Sequence, residues 1–148
     1  MLRLALSILC AVCVGAVEFR DCGSTAGSFD RVEVAKCDAS SHSCVLRKGH
    51  DGSLDLHFTP SKRCEKVTAI VHGIVDELDV PFPLPNAEAC QDPQSKVGCP
   101  LEPGVASNYH ATLPVLHSYP TVSVKVRWEL KDENNDNIVC VEFPVSIR

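Results

Sequence analysis

The sequence predicts an all-β fold, a sandwich of two antiparallel sheets, and three observations carry that prediction. Apolar and polar residues alternate at period two through Thr121 to Leu130 and again through Ile138 to Ile147, the pattern of strands with one buried and one wet face. Beyond residue 16 no long run keeps the helical period of 3.6 residues. The connections are punctuated by Pro81, Pro83, Pro85, Pro93, Pro100, Pro103-Gly104, Pro114 and Pro120, as expected where short strands are joined by turns and loops. Six to eight short strands in one domain follow from this spacing.

In chain order, Met1-Leu2-Arg3, the apolar run Leu4 to Val14 and the small residues Gly15-Ala16 read as a secretory signal peptide, residues 1–16, cleaved after Ala16. The run is too short for an ordinary membrane span. Residues 17–148 are then the folded domain. Val32 and Val34 alternate with Arg31 and Glu33 in an early strand. Leu54, Leu56 and Phe58 share one face opposite Asp55 and His57, a half-buried strand. Asp51-Gly52 just before it is a turn signal, so residues 45–48 and 54–59 are expected to form a hairpin.

Val67 to Val75 is apolar at most positions on both faces, which suits a strand covered on both sides or one bordering a cavity. His72 within it reads as a structural histidine, and Gly73 as a bulge or a close backbone approach. In Val80-Pro81-Phe82-Pro83-Leu84-Pro85 three prolines cannot donate ladder hydrogen bonds, which confines the segment to a sheet edge or a loop. Its three apolar residues must still cover something apolar. Leu113-Pro114-Val115 and Ser118-Tyr119-Pro120 repeat that character outside a regular strand, and Tyr119 offers a broad apolar face with one polar tip. On the next strand Val122, Val124, Val126, Trp128 and Leu130 form the buried face. Polar Asp132 to Asn137 then turns the chain into the last strand, where Val139, Val141, Phe143, Val145 and Ile147 repeat at period two.

Several function classes are disfavoured. The formal net charge is −5 and no basic run is present, which argues against nucleic acid, because phosphate binding needs clustered lysine and arginine. No G-x-S-x-G elbow, H-E-x-x-H pair or glycine-rich phosphate loop occurs, so the chain reads as a non-enzyme without a cofactor. Six scattered histidines and no C-x-x-C unit give no metal site. What remains is apolar. The two proline-rich segments either plug an ordinary β core or form the shared rim of a pocket between splayed sheets. A lining of Val, Ile and Leu with few aromatics suits a large, rigid hydrocarbon ligand carrying at most one hydroxyl.

Of nine cysteines, Cys10 and Cys13 leave with the signal peptide. The others, in a chain entering the secretory route, read as disulfides. Spacing favours Cys37 with Cys44 and Cys90 with Cys99, each closing a small loop. Cys22 with Cys140 would then tie the two ends together, worth about 4–5 kcal/mol in the chain-entropy picture. Cys64 is left odd.

Asp21-Cys22-Gly23-Ser24, Val71-His72-Gly73, Val80 to Pro85, Cys99-Pro100-Leu101, Leu113-Pro114-Val115, Tyr119-Pro120 and Trp128-Glu129-Leu130, in that order, resemble the ML lipid-recognition family. Within it they look like the arthropod members of the Niemann-Pick type C-two branch, soluble sterol carriers of lysosomes and secretions. The resemblance covers nearly all of residues 17–148 and marks them as an ML lipid-recognition domain. It implies an immunoglobulin-like sandwich that holds cholesterol or a related sterol in an apolar pocket between its sheets and performs no reaction. Phe82, Val115 and Tyr119 would line that pocket near its entrance, with Pro114 and Trp128 close by. The family's disulfides fall on Cys22–Cys140, Cys37–Cys44 and Cys90–Cys99, which leaves Cys64 as a buried free thiol or an intermolecular link.

Transient membrane contact is implied too, with Lys48 meeting acidic lipid headgroups, as is delivery to a sterol-accepting membrane protein of the Niemann-Pick type C-one kind. The location implied is secreted, with the lysosomal lumen as the other compartment. No Asn-x-Ser/Thr sequon occurs, which leaves room for a purely extracellular carrier. Two rival readings stand beside the sterol carrier. One is an extracellular carrier of other hydrophobic ligands such as fatty acids or semiochemicals, and the other an innate-immune module that recognises microbial lipid.

Overall fold

Period-two alternation becomes nine strands in a computed structural model that describes residues 17–37 and 42–148. The expected signal peptide, residues 1–16, lies outside the described residues. The strands are β1 (Arg20–Asp21), β2 (Gly27–Val34), β3 (Cys44–Leu46), β4 (Asp51–Pro60), β5 (Thr68–Val75), β6 (Leu78–Phe82), β7 (Ser107–Pro114), β8 (Val122–Lys131) and β9 (Asn137–Ile147). One sheet runs β1-β9-β8-β5-β6, with β3 added to β9, and the other runs β2-β4-β7. All pairings are antiparallel except that of β3 with β9.

The two inner faces make the core. Leu54, Leu56 and Phe58 of β4 and Tyr109 of β7 are buried, as are Val71, Val124, Trp128, Leu130, Val139, Val141, Phe143 and Val145 of the larger sheet. Full burial of each large aliphatic or Phe side chain contributes roughly 1.5–3 kcal/mol before entropy is counted. The outer face of β8 presents Ser123, Lys125, Arg127 and Glu129, where Arg127 pairs with Asp79 and Lys131 with Glu129 at 3.3 Å. His72 stands beside Pro81 and Arg127 in register, on that same outer face.

Two expectations need correction. Residues 45–48 and 54–59 do not form a hairpin. Val45 and Leu46 pair with Ser146 and Ile147 in the other sheet, because β1 covers β9 only at Val141 and Glu142 and leaves the rest of its edge open. The turn lies earlier, where His50 N–H donates to the Arg47 carbonyl at 3.2 Å and Gly49 takes φ +79°, while Asp51 and Gly52 already belong to β4. The second correction is β7: Leu113 and Pro114 end a regular strand rather than lying outside one. Its alternation is diluted, since only Tyr109 among its residues is fully buried. Of the two places expected for Val80 to Pro85, both occur: Val80 to Phe82 are in edge strand β6 paired to β5, and the loop begins at Pro83.

Disulfides join Cys22 to Cys140, Cys37 to Cys44 and Cys90 to Cys99. Cys64 is a free thiol closed to solvent. The loop after β6 contains two short 3-10 turns, Ala89–Gln91 and Pro93–Ser95. Asp92 caps the second by accepting from Gln94 N–H at 3.0 Å.

Candidate ligand-binding seam

Phe82 closes β6 and faces inward across from Val71. It can do so because its neighbour on the same face is Gly73: a Cβ there would stand 2.6 Å from Phe82 Cε2. No register shift occurs at Gly73, so of the two roles expected for it the structure shows the close approach. The Phe82 ring meets Tyr119 edge to face, with centroids 5.4 Å apart and planes at 86°, a favoured aromatic geometry. Tyr119 is held by its own turn, its N–H donating to the Leu116 carbonyl at 3.1 Å.

The loop that carries Tyr119 is fixed to the turn after β3. Val115 N–H donates to the His50 carbonyl at 3.0 Å, and Gly49 N–H donates to the Val115 carbonyl at 2.6 Å. Lys48 lies in that turn and donates from Nζ to Thr121 Oγ1 at 2.9 Å. The residues that resemblance assigned to an entrance and to a membrane contact are therefore on one end of the sandwich. Leu116 is 47% exposed beside them, and Val80 on β6 is 42% exposed.

Behind Phe82 and Tyr119 is a void of about 30 Å³ bordered by Val71, Pro114, Val115 and Val124. A second void, about 40 Å³, is bordered by Val34, Leu54, Ala111, Trp128 and Phe143. Leu46, Leu113, Val126 and Val145 border both, so the two are successive stations of one apolar seam. Trp128 is thus not at the mouth with Phe82. It belongs to the second void and packs at 61° on Tyr109, centroids 6.0 Å apart. Its buried Nε1 meets no acceptor in good hydrogen-bond geometry among the described residues; burial raises the Tyr109 hydroxyl well above the usual phenol range, and the nearby Trp128 side chain offsets part of that rise.

Both voids are far smaller than the roughly 300–1,000 Å³ of drug-sized ligand sites. A ligand of that size enters only if the sheets separate. The strands flanking the mouth, β6 and β7, are not paired with each other, so contacts between side chains, not ladder hydrogen bonds, resist that separation. Sequence reading missed Leu46, Val71, Leu113, Val124, Val126 and Val145 as walls of the seam. The signal was present in their alternation, which marks inner-face positions but does not say which of them border a void.

The family model described as the ML domain matches residues 16–147. The chain belongs to the ML-domain family. Among ML-domain relatives, the NPC intracellular cholesterol transporter 2 homolog a of Drosophila melanogaster is 45% identical over 151 residues, covering 100% of both chains. The NPC intracellular cholesterol transporter 2 of Danio rerio is 36% identical over 142 residues, 96% of this chain and 92% of that one. Among solved structures, a Niemann-Pick type C2 protein from the Japanese carpenter ant superposes with a TM-score of 0.85 at 36% identity, covering 88% of this chain and 99% of that chain. This ML domain has the immunoglobulin-like sandwich that the resemblance implied.

Proposed function

We propose that this ML-domain protein binds a sterol, cholesterol or a close relative, in the seam between its sheets and carries it between membranes without chemical change. The observation that carries the reading is the aromatic mouth, Phe82 against Tyr119, over a void whose lining is apolar side chains throughout. Relatives named as cholesterol transporters over nearly the full chain support the same ligand. Phe82, Val115, Tyr119 and Pro114 form the entrance of the site, and Trp128 borders its second part. Burying several hundred Å² of hydrocarbon releases on the order of 10 kcal/mol gross. Parting the sheets and immobilising the ligand consume part of it.

The sterol enters with its hydrocarbon body in the seam and its hydroxyl toward the mouth, where the Tyr119 phenol and solvent can receive it. Lys48, Leu116 and Val80 bring that end to a membrane surface. A sterol-accepting membrane protein is the proposed receiver, and a secreted protein acting outside the cell or in the lysosomal lumen is the proposed setting. Residues 1–16 are the proposed signal peptide and residues 17–148 the carrier.

Trp128 is the single tryptophan, and it borders the seam. Excitation of Trp128 with emission from bound dehydroergosterol therefore tests the proposal directly. Saturable transfer at one sterol per chain, poorly displaced by a long-chain fatty acid, is the expected result. Ready displacement by the acid, or absence of transfer, would reassign the seam to other hydrophobic ligands.

A further inference from the structure

Four of the strands that end a sheet or cover an edge are blunted against further pairing. β1 and β3 are only two and three residues long. β6 carries Pro81 and leads into Pro83. β2 is broken by a register shift between Phe29 and Arg31 and carries Asp30, Arg31 and Glu33. Short length, proline, bulges and charge are the usual protections of an exposed edge. β7 has Pro114 at its very end, and the loop after β6, with its 3-10 turn Pro93–Ser95, stands beside it across a cleft without pairing to it.

The phase of β7 is fixed by Val115 N–H donating to the His50 carbonyl. Backbone groups alternate in direction along an antiparallel edge strand, so Leu113, Ala111 and Tyr109 bond toward β4 while Asn108, His110 and Thr112 point outward. Among the described residues no backbone group outside β4 bonds to β7. Opposite this edge stand Leu84, Pro85 and Asn86, and the cleft between encloses about 230 Å³.

Two carboxylates border the cleft. Asp51 is in register with Pro114 at one end of β7, and Asp92 lines the same cleft with Tyr109 and Gln94. No lysine or arginine lines the cleft, and its one histidine, His110, is engaged through Nδ1 by Asp55 at 2.8 Å. Tyr109 to Pro114 spans about 17 Å as extended chain, so a segment of about five residues matches it.

We propose that the free edge of β7 takes up an extended basic segment of a partner protein by strand addition, its backbone pairing with His110 and Thr112 and its lysine or arginine side chains meeting Asp51 and Asp92. A second copy of this chain is a poor occupant, because edge-to-edge pairing would bring two like-charged clefts together in a protein of net charge −5, with no lysine or arginine lining either one. The surface shares Pro114 with the Phe82–Tyr119 mouth and Ala111 with the second void but uses the outward backbone groups of β7, and the inference stands whether or not the seam holds a sterol.

The test uses the folded protein and the labelled peptide Gly-Lys-Val-Thr-Val-Lys-Gly at low salt, read by fluorescence anisotropy and by amide chemical shifts. Binding is expected, with shift changes centred on Asn108, His110 and Thr112. A peptide N-methylated at alternate positions should not bind. Asp51→Asn with Asp92→Asn, which keeps an acceptor for Gln94 N–H, should weaken binding about five- to tenfold, the worth of two exposed charge contacts. No binding, shifts confined to another face, or equal binding by the N-methylated peptide would overturn the proposal. So would a concentration-dependent dimer abolished by Thr112→Pro, which would make the occupant a second copy.

Discussion

The ring of Phe82 lies against Gly73, so close that a Cβ at position 73 would also stand 3.0 Å from Val124 Cγ2. The missing side chain on β5 is what allows an aromatic residue from the edge strand to form a wall of the seam. Gly73→Ala should therefore push Phe82 off its seat. Overpacking of this kind costs about 1–3 kcal/mol, so the variant should remain folded with a lowered melting temperature while dehydroergosterol binding falls. Unchanged binding would remove Phe82 from the site.

Phe82→Ala separates a pocket role from a core role. Phe82 is only half-buried and already borders a void, whereas Phe58 is wholly buried. Phe58→Ala should lose about 3–5 kcal/mol of stability, and Phe82→Ala clearly less, measured by urea unfolding. Sterol affinity of Phe82→Ala should drop about ten- to a hundredfold, the equivalent of one large apolar contact. A collapse of stability matching that of Phe58→Ala would make Phe82 ordinary core.

How much of this was legible from residues alone depends on what each pattern encodes. The strand Val122–Lys131 could be read because one-sided burial writes itself as alternation, and Asn137–Ile147 because Val139, Val141, Phe143, Val145 and Ile147 keep the same period although Ile138, Cys140 and Ser146 on its other face are buried too. Pro81 and Pro83 restricted their segment to an edge or loop, and β6 is an edge. The hairpin expectation failed because Asp51-Gly52 has turn chemistry in isolation, yet its partners Pro114 and Leu113 lie far along the chain. Strand β7 was missed because Ala111 and Thr112 carry little contrast between faces. That Trp128 borders the second void and Phe82 the first depends on how deep each inward residue sits, and periodicity carries no depth.

Acid should loosen the β8–β9 turn. Burial alone would raise the Asp132 carboxyl, but it is outweighed by Lys62 Nζ at 2.8 Å and by the N–H groups of Asn134 and Asp136, each 2.9 Å from Oδ1. The net effect holds Asp132 below the ordinary value of 3.8. A carboxylate with a depressed folded-state pKa gives its full stabilisation above about pH 4 and loses it as pH falls toward the folded value. Urea midpoints of the protein should therefore decline below about pH 4, and Asp132→Asn should be less stable at neutral pH with a shallower acid decline. An equally steep decline in Asp132→Asn would place the acid sensitivity elsewhere.

Cys64 should be inert in the folded protein. Its thiol is closed to solvent, 3.4 Å from the Lys62 carbonyl, and pushed up to about 11 by burial and then by the charges of Asp132 and Glu133. A maleimide at mildly alkaline pH should label the protein only after unfolding, because the thiolate is the reactive form. Cys64→Ser should leave the monomer and its sterol binding intact, since the hydroxyl inherits the Lys62 carbonyl as acceptor. A covalent dimer on non-reducing gels that disappears in Cys64→Ser would contradict this.

The most direct test of the central claim is native mass spectrometry of the protein recovered after incubation with cholesterol-containing vesicles. A seam that opens to admit one sterol predicts a mass increase of a single cholesterol in the wild type and its loss in Phe82→Ala. No increase in the wild type, or an increase unaffected by Phe82→Ala, would show that the space behind Phe82 and Tyr119 is not where a sterol is carried.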